Sequence, residues 1–202
     1  TNRPNIASQL LRYASLVSVS RPRSLQRCAR SVSRAYSTAR PVFAKAGGMR
    51  NASREKRFYL WDQVRTWQDQ RILAAAEINL TEDMSEMTGQ GGVQSVFPHK
   101  TKEGEPERRV EIAGGRMHVD KAALRLIYED DCRLKSGAAV LQCGLITVDP
   151  GEGGGEILSV RAVKGKSKTV TIVMNSREGT GEAADYDVKG DTITLTGRPS
   201  LK

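Results

Sequence analysis

The sequence predicts an all-β protein: short antiparallel strands stacked as repeated units behind a basic leader. Three observations carry that expectation. From about Phe58 onward, apolar and polar residues alternate in short runs, the pattern of half-buried strands. Gly, Asp and Pro punctuate these runs, and the chain holds 19 Gly against 5% aromatic residues. One stretch of the chain also lies over another without a gap.

Charge divides the chain in two. Residues 1–57 hold 13 Lys/Arg against the single acid Glu55, a net of +12, so the remaining 19 basic and 22 acidic residues leave residues 58–202 at −3. The overall +9 therefore belongs to the leader, and the mildly acidic body gives no electrostatic support to a nucleic-acid surface. No run approaches the roughly 18 apolar residues of a membrane-crossing helix, so no such span is expected.

The leader is expected to be disordered or partly helical. Residues 1–50 contain no acid, and Ile6, Leu10, Leu11, Leu16 and Val17 can line one side of a short helix carrying Arg3 and Arg12. Such an Arg- and Ser-rich stretch resembles an organelle transit peptide, with Arg34-Ala35-Tyr36-Ser37 as a cleavage context cut after Tyr36. The alternative is unstructured sequence that gives no address, with Met49 as a possible start. The organisation expected is a leader over 1–57 and a β domain over 58–202.

Self-similarity organises that domain. Val64–Leu80 lies over Cys132–Val148 at an offset of 68, matching Val64 with Cys132, Ala75 with Cys143 and Ile78 with Ile146. A common core recurs in four units: Leu73–Leu80, Ile112–Val119, Leu141–Val148 and Gly181–Val188. Each leads through a polar turn to a returning strand, at Glu86–Val96, Leu124–Leu134, Ile157–Val163 and Thr192–Gly197. Residues two apart on a strand share a face, which turns Ile78/Leu80, Met117/Val119, Ile146/Val148, Tyr186/Val188 and Ile193/Leu195 inward. Asn79, His118, Thr147, Asp187 and Thr194 then point outward. Ala75, Gly114, Cys143 and Ala183 keep one small-residue place in each unit, where strands turn or approach closely. Helical content is expected only over Trp61–Asp69 and in the leader; Pro98–Arg109, Asp149–Glu156 and Lys164–Lys168 read as loops.

The units AAAEINLTEDMSEMTGQGGVQSVFP, GGRMHVDKAALRLIYEDDCRLKSG and GTGEAADYDVKGDTITLTGRPSL resemble the repeats of the OstA-like (LptA-like) family. That family includes the periplasmic bridge protein of lipopolysaccharide transport. The ending, Tyr186-Asp187 leading to Thr194-Leu195-Thr196-Gly197, is the most specific piece, and Gly91-Gly92-Val93 stands where the family writes Gly-Asn-Val. The resemblance covers roughly residues 62–202. It implies an open β-jellyroll, a V-shaped slab of antiparallel strands whose groove holds lipopolysaccharide acyl chains or a similar amphiphile. The groove residues would be Ile78, Leu80, Met117, Val119, Ile146, Val148, Tyr186, Val188, Ile193 and Leu195. End strands would pair with like domains, including further copies of this chain. It implies a periplasmic address, or a mitochondrial or plastid one if the leader is a transit peptide. The runner-up is a structural scaffold docking through its strand edges.

Sequence features give no support for catalysis, and no cofactor or metal is expected. Gly165-Lys166-Ser167 lacks the first Gly of a phosphate loop, with Val160 in its place. Asp185-x-Asp187 lacks the remaining calcium ligands, since Lys189 and Thr196 occupy them. His99 and His118 do not stand at metal-ligand spacing. Cys28, Cys132 and Cys143 make an odd count. Because Cys132 and Cys143 replace Val64 and Ala75, small core residues are favoured over a disulfide. Trp61 and Trp67 are expected to cap the open end of the core.

Overall fold

The computed structural model describes residues 18–19, 43–81, 86–99, 108–120, 123, 125–151, 157–165 and 169–202. Among these, fifteen strands form one sheet. They are β1 (Ser18–Val19), β2 (Phe43–Lys45), β3 (Gly48–Ala52), β4 (Arg57–Gln68), β5 (Arg71–Thr81), β6 (Met87–His99), β7 (Arg108–Asp120), β8 (Arg125–Ser136), β9 (Ala139–Pro150), β10 (Ile157–Val163), β11 (Val170–Met174), β12 (Arg177–Gly181), β13 (Ala183–Asp187), β14 (Thr192–Thr196) and β15 (Ser200–Leu201). Apart from the parallel β1–β2 contact, every pairing is antiparallel, and β4 to β10 follow one another as a meander. The leader helix near Ile6–Val17, the cut after Tyr36, Cys28 and the interiors of the three expected loops lie outside the described residues.

The sheet is all-β and open, and it bends along one line. At mid-length the strand pairings shift register, and left-handed backbone stands there on alternate strands: Asp62-Gln63 on β4, Gly91-Gly92 on β6 and Asp130-Asp131 on β8. Two residues set against one on the partner form a bulge that bends the strand and raises its twist. The first and third of these pairs stand 68 residues apart, at the offset of the internal alignment. On the intervening strands the line passes Ala75-Ala76, Gly114-Gly115 and Gly144. β2 and β3 also meet this corner, since they pair with opposite halves of β4, and Gly47 N–H donates to the Asp62 carbonyl (2.8 Å). Residues 43–52, upstream of residue 58, are thus part of the sheet.

The bend folds the sheet into two layers around one core. Val64, Val93, Ile112 and Leu134 come from one side of the corner, and Ile78, Met117, Tyr128, Ile146 and Val148 from the other. Two buried hydrogen bonds tie the layers: Tyr128 Oη donates to Ser95 Oγ (2.8 Å), and Ser136 Oγ is 2.9 Å from Tyr186 Oη. Beyond β8 the sheet forks. β9 pairs with β10 along residues 145–150 and with β11 along 140–142. Gly144 and Gly165 meet at the branch so closely that a Cβ on Gly144 would lie 2.1 Å from Gly165 Cα.

Two expectations are corrected. Trp61–Asp69 is not helical, because Trp61–Gln68 belongs to β4. Leu60, Val64 and Gln68 are its buried positions, four apart as on a helix, but the backbone is extended, with Asp62-Gln63 set against the single Ala76 between Leu60 and Val64. The fourth unit is also shifted by two. Gly181, opposite Val170, holds the place that Ala75 holds opposite Val64, where the sequence suggested Ala183. A two-residue slip keeps every side chain on its own face, so alternation cannot detect it.

Candidate functional site

Between the layers, near the strand tips and away from the corner, lies an apolar cleft of about 160 Å³. One wall comes from Thr66, Trp67, Ile72 and Leu73 of β4 and β5 and from Phe97 of β6; Met87, Met117 and Leu126 form the other. Alternation along β6 turns Val93, Ser95 and Phe97 inward, and along β8 it does the same for Leu126 and Tyr128. At the rim Trp67 stacks on Phe43, with ring centroids 5.7 Å apart and planes at 18°. Trp61 is not at this mouth. It lies 43% exposed over Gly48 on the far side of the corner.

The Tyr128–Ser95 hydrogen bond forms the floor of the cleft. Burial pushes the Tyr128 phenol well above its ordinary value, which the bond to Ser95 opposes. A raised folded-state pKa means the folded protein keeps a proton the unfolded chain releases above pH 10.0. Stability from this group is therefore complete below that pH and lost above it, by about 1.4 kcal/mol per pH unit. Urea titrations between pH 9 and 11.5 should show this fall, and Tyr128→Phe should flatten it; an unchanged slope in that variant would place the alkaline loss elsewhere.

Of the ten residues expected to line a groove, only Met117 borders the cleft. Ile78, Ile146 and Val148 are 0% exposed inside the core, and Leu80, Tyr186 and Val188 are also buried. Val119, Ile193 and Leu195 are half-buried. Ile72, Leu73, Phe97 and Leu126 escaped the sequence reading because inward faces were assigned mainly to the first strand of each unit. Alternation carried along Val93-Ser95-Phe97 and Leu126-Tyr128 would have found two of them.

The outer face is polar and laced with ion pairs, including Arg116–Asp130 (2.7 Å), Lys164–Glu182 (2.8 Å) and Arg125–Asp149. These pairs are exposed and each contributes little to stability. Arg108 and Asp191 pair between β7 and the β13–β14 turn, and Asp191 also accepts from Tyr186 Oη (3.0 Å), which fastens the layers at the forked end. Among the described residues no cluster of His, Cys, Asp and Glu could hold a metal ion, and no helix is long and apolar enough to cross a membrane.

No family model matches the chain, and no curated protein matches it. Among solved structures it is similar to the crystal structure of LptH from Pseudomonas aeruginosa, described as the LptA-homologous periplasmic component of the conserved lipopolysaccharide transport device. That similarity has 10% sequence identity and a TM-score of 0.42, and covers 81% of this chain and 94% of that one.

Proposed function

We propose that this chain is a non-catalytic carrier of an amphiphile of the lipopolysaccharide type, whose acyl chain enters between the two strand layers at the apolar cleft. The observation that carries this reading is the cleft itself: both layers present apolar side chains to a gap that is open near the strand tips. An apolar cavity of about 150 Å³ suffices for a benzene-sized guest, so the cleft suits the end of an acyl chain. Each Å² of apolar surface removed from water there contributes about 25 cal/mol. Longer insertion requires the layers to part along Met117 and Val119 toward the groove read from the sequence.

In this reading the protein works in the periplasm, and the outer strands dock like domains. Among the described residues β14 and β15 each have one partner strand, which leaves backbone groups for pairing with a second copy or a related domain. A second reading, a scaffold without ligand, is favoured by the close packing around Ile78, Ile146 and Val148.

Native mass spectrometry of the full chain expressed in a lipopolysaccharide-producing host separates the two. The carrier reading expects an adduct of lipopolysaccharide mass. Phe97→Gln and Leu126→Gln should weaken the adduct by at least about tenfold, near 1.4 kcal/mol, while the outer-face change Thr88→Gln leaves it intact. A clean apo mass, or an adduct indifferent to both cleft changes, rejects the carrier and leaves the scaffold.

A further inference from the structure

Four cross-strand pairs flank the corner: Val64 with Ala75, Val93 with Gly114, Cys132 with Cys143, and Val170 with Gly181. In three of them a valine faces a small residue, and one side chain fills the bend. In the remaining pair both members are cysteine, 2% and 3% exposed. A single cysteine would serve as a small core residue. Two in direct register put both sulfurs on the same side of the sheet. Opposed residues of antiparallel strands hold their Cα atoms about 4.5–5.5 Å apart, inside the window of about 4.4–6.8 Å that a disulfide needs.

Both thiols are free and stand opposite each other in register. Cys132 Sγ also lies 3.6 Å from the Gly144 carbonyl oxygen, and Cys143 Sγ 3.4 Å from that of Leu145. The neighbouring Cys143 holds the Cys132 thiol below its ordinary value, and Cys132, with burial, pushes Cys143 up. A recess of about 520 Å³ beside the fork is lined by both cysteines with Thr169 and Thr171, which gives a small molecule an approach.

We propose that Cys132 and Cys143 form a redox-active dithiol, oxidised by a small-molecule disulfide to a cross-strand bridge at the fork. The Cys132 thiolate attacks one sulfur of the oxidant, forming a mixed disulfide and expelling a thiolate. Cys143 then loses its proton and attacks Cys132 Sγ, forming the Sγ–Sγ bond and expelling the second thiolate. The two protons released by the cysteines pass to the two expelled thiolates, and two electrons reduce the oxidant to two thiols. The bridge joins β8 to β9 beside Gly144, where β9 exchanges β10 for β11, so oxidation fixes the geometry of the fork.

The test uses the full chain carrying Cys28→Ser, equilibrated in mixtures of reduced and oxidised glutathione, quenched with an alkylating agent under denaturing conditions and weighed intact. The expected product is lighter by about 2 Da, takes up no alkyl group, and appears in one two-electron transition. Peptide mapping of the unsubstituted chain should find the same Cys132–Cys143 link. The double change Cys132→Val with Cys143→Ala copies the Val64–Ala75 pair; its melting temperature should not respond to oxidant, whereas that of the parent should. Uptake of two alkyl groups at every mixture, or glutathione held on one cysteine with no bridge, overturns the proposal.

Discussion

Replacing Gly144 with alanine is expected to destabilise the protein by about 3 kcal/mol, the upper end of what overpacking a well-packed site costs. The added Cβ would lie 2.1 Å from Gly165 Cα and 2.3 Å from its nitrogen. Both are backbone atoms, so no rotamer change relieves the overlap, and residues 164–165 must be pushed from β9. That displacement reaches the branch point, where β9 holds β10 on one half and β11 on the other. Gly165→Ala is the milder change, since its Cβ meets Gly144 Cα at 3.0 Å. Urea denaturation of the two variants should give this order, and a Gly144→Ala protein as stable as the parent would mean the two backbones do not touch in solution.

Ile146→Asp is expected to cost more, about 4–5 kcal/mol, enough to unfold a domain of ordinary stability. Ile146 is fully buried and stands in register between Tyr128 and Ala162. None of the ion pairs of the outer face reaches that position, so a carboxylate there is stripped of water without compensation. The neighbouring Thr147→Asp, on the opposite face, should shift stability by less than about 1 kcal/mol. Circular dichroism with chemical denaturation distinguishes them. An Ile146→Asp protein that folds normally would mean this position lines a solvent-filled groove, not the core. Ile146 therefore reports on folding, and ligand binding is better probed at Phe97 and Leu126.

Much of this fold is legible in the residues, for a physical reason. Alternation depends only on which side of a strand a residue occupies, so the inward placement of Ile78, Met117 and Ile146 follows from pattern alone. The gapless offset worked because Asp62-Gln63 and Asp130-Asp131 share one backbone conformation at matching places. Where reading failed, the cause was again the period of two. Buried positions four apart at Leu60, Val64 and Gln68 fit a helix as well as every second inward place of a strand, and the shift at Gly181 left no trace because it moved by an even number. The cleft was harder to see. Whether Phe97 and Leu126 border a gap or fill it depends on the distance between layers, which the fork and the bend set through contacts far apart in the chain.

The row of left-handed residues along the corner has a consequence for what the sequence must specify. Asp62, Gln63, Asp130 and Asp131 adopt positive φ without being glycine, a conformation that most residues avoid and that Asn and Asp tolerate best. The demand there is on backbone conformation, whereas in most of the interior, apart from the paired Ser95–Tyr128 and Ser136–Tyr186 and the Gly144–Gly165 contact, it is on volume, and on the outer face on polarity. Few positions therefore fix an identity, and most fix a class. Such a fold stores its instructions in a short line of bends and a rhythm between them, and most letters elsewhere need hold only their class.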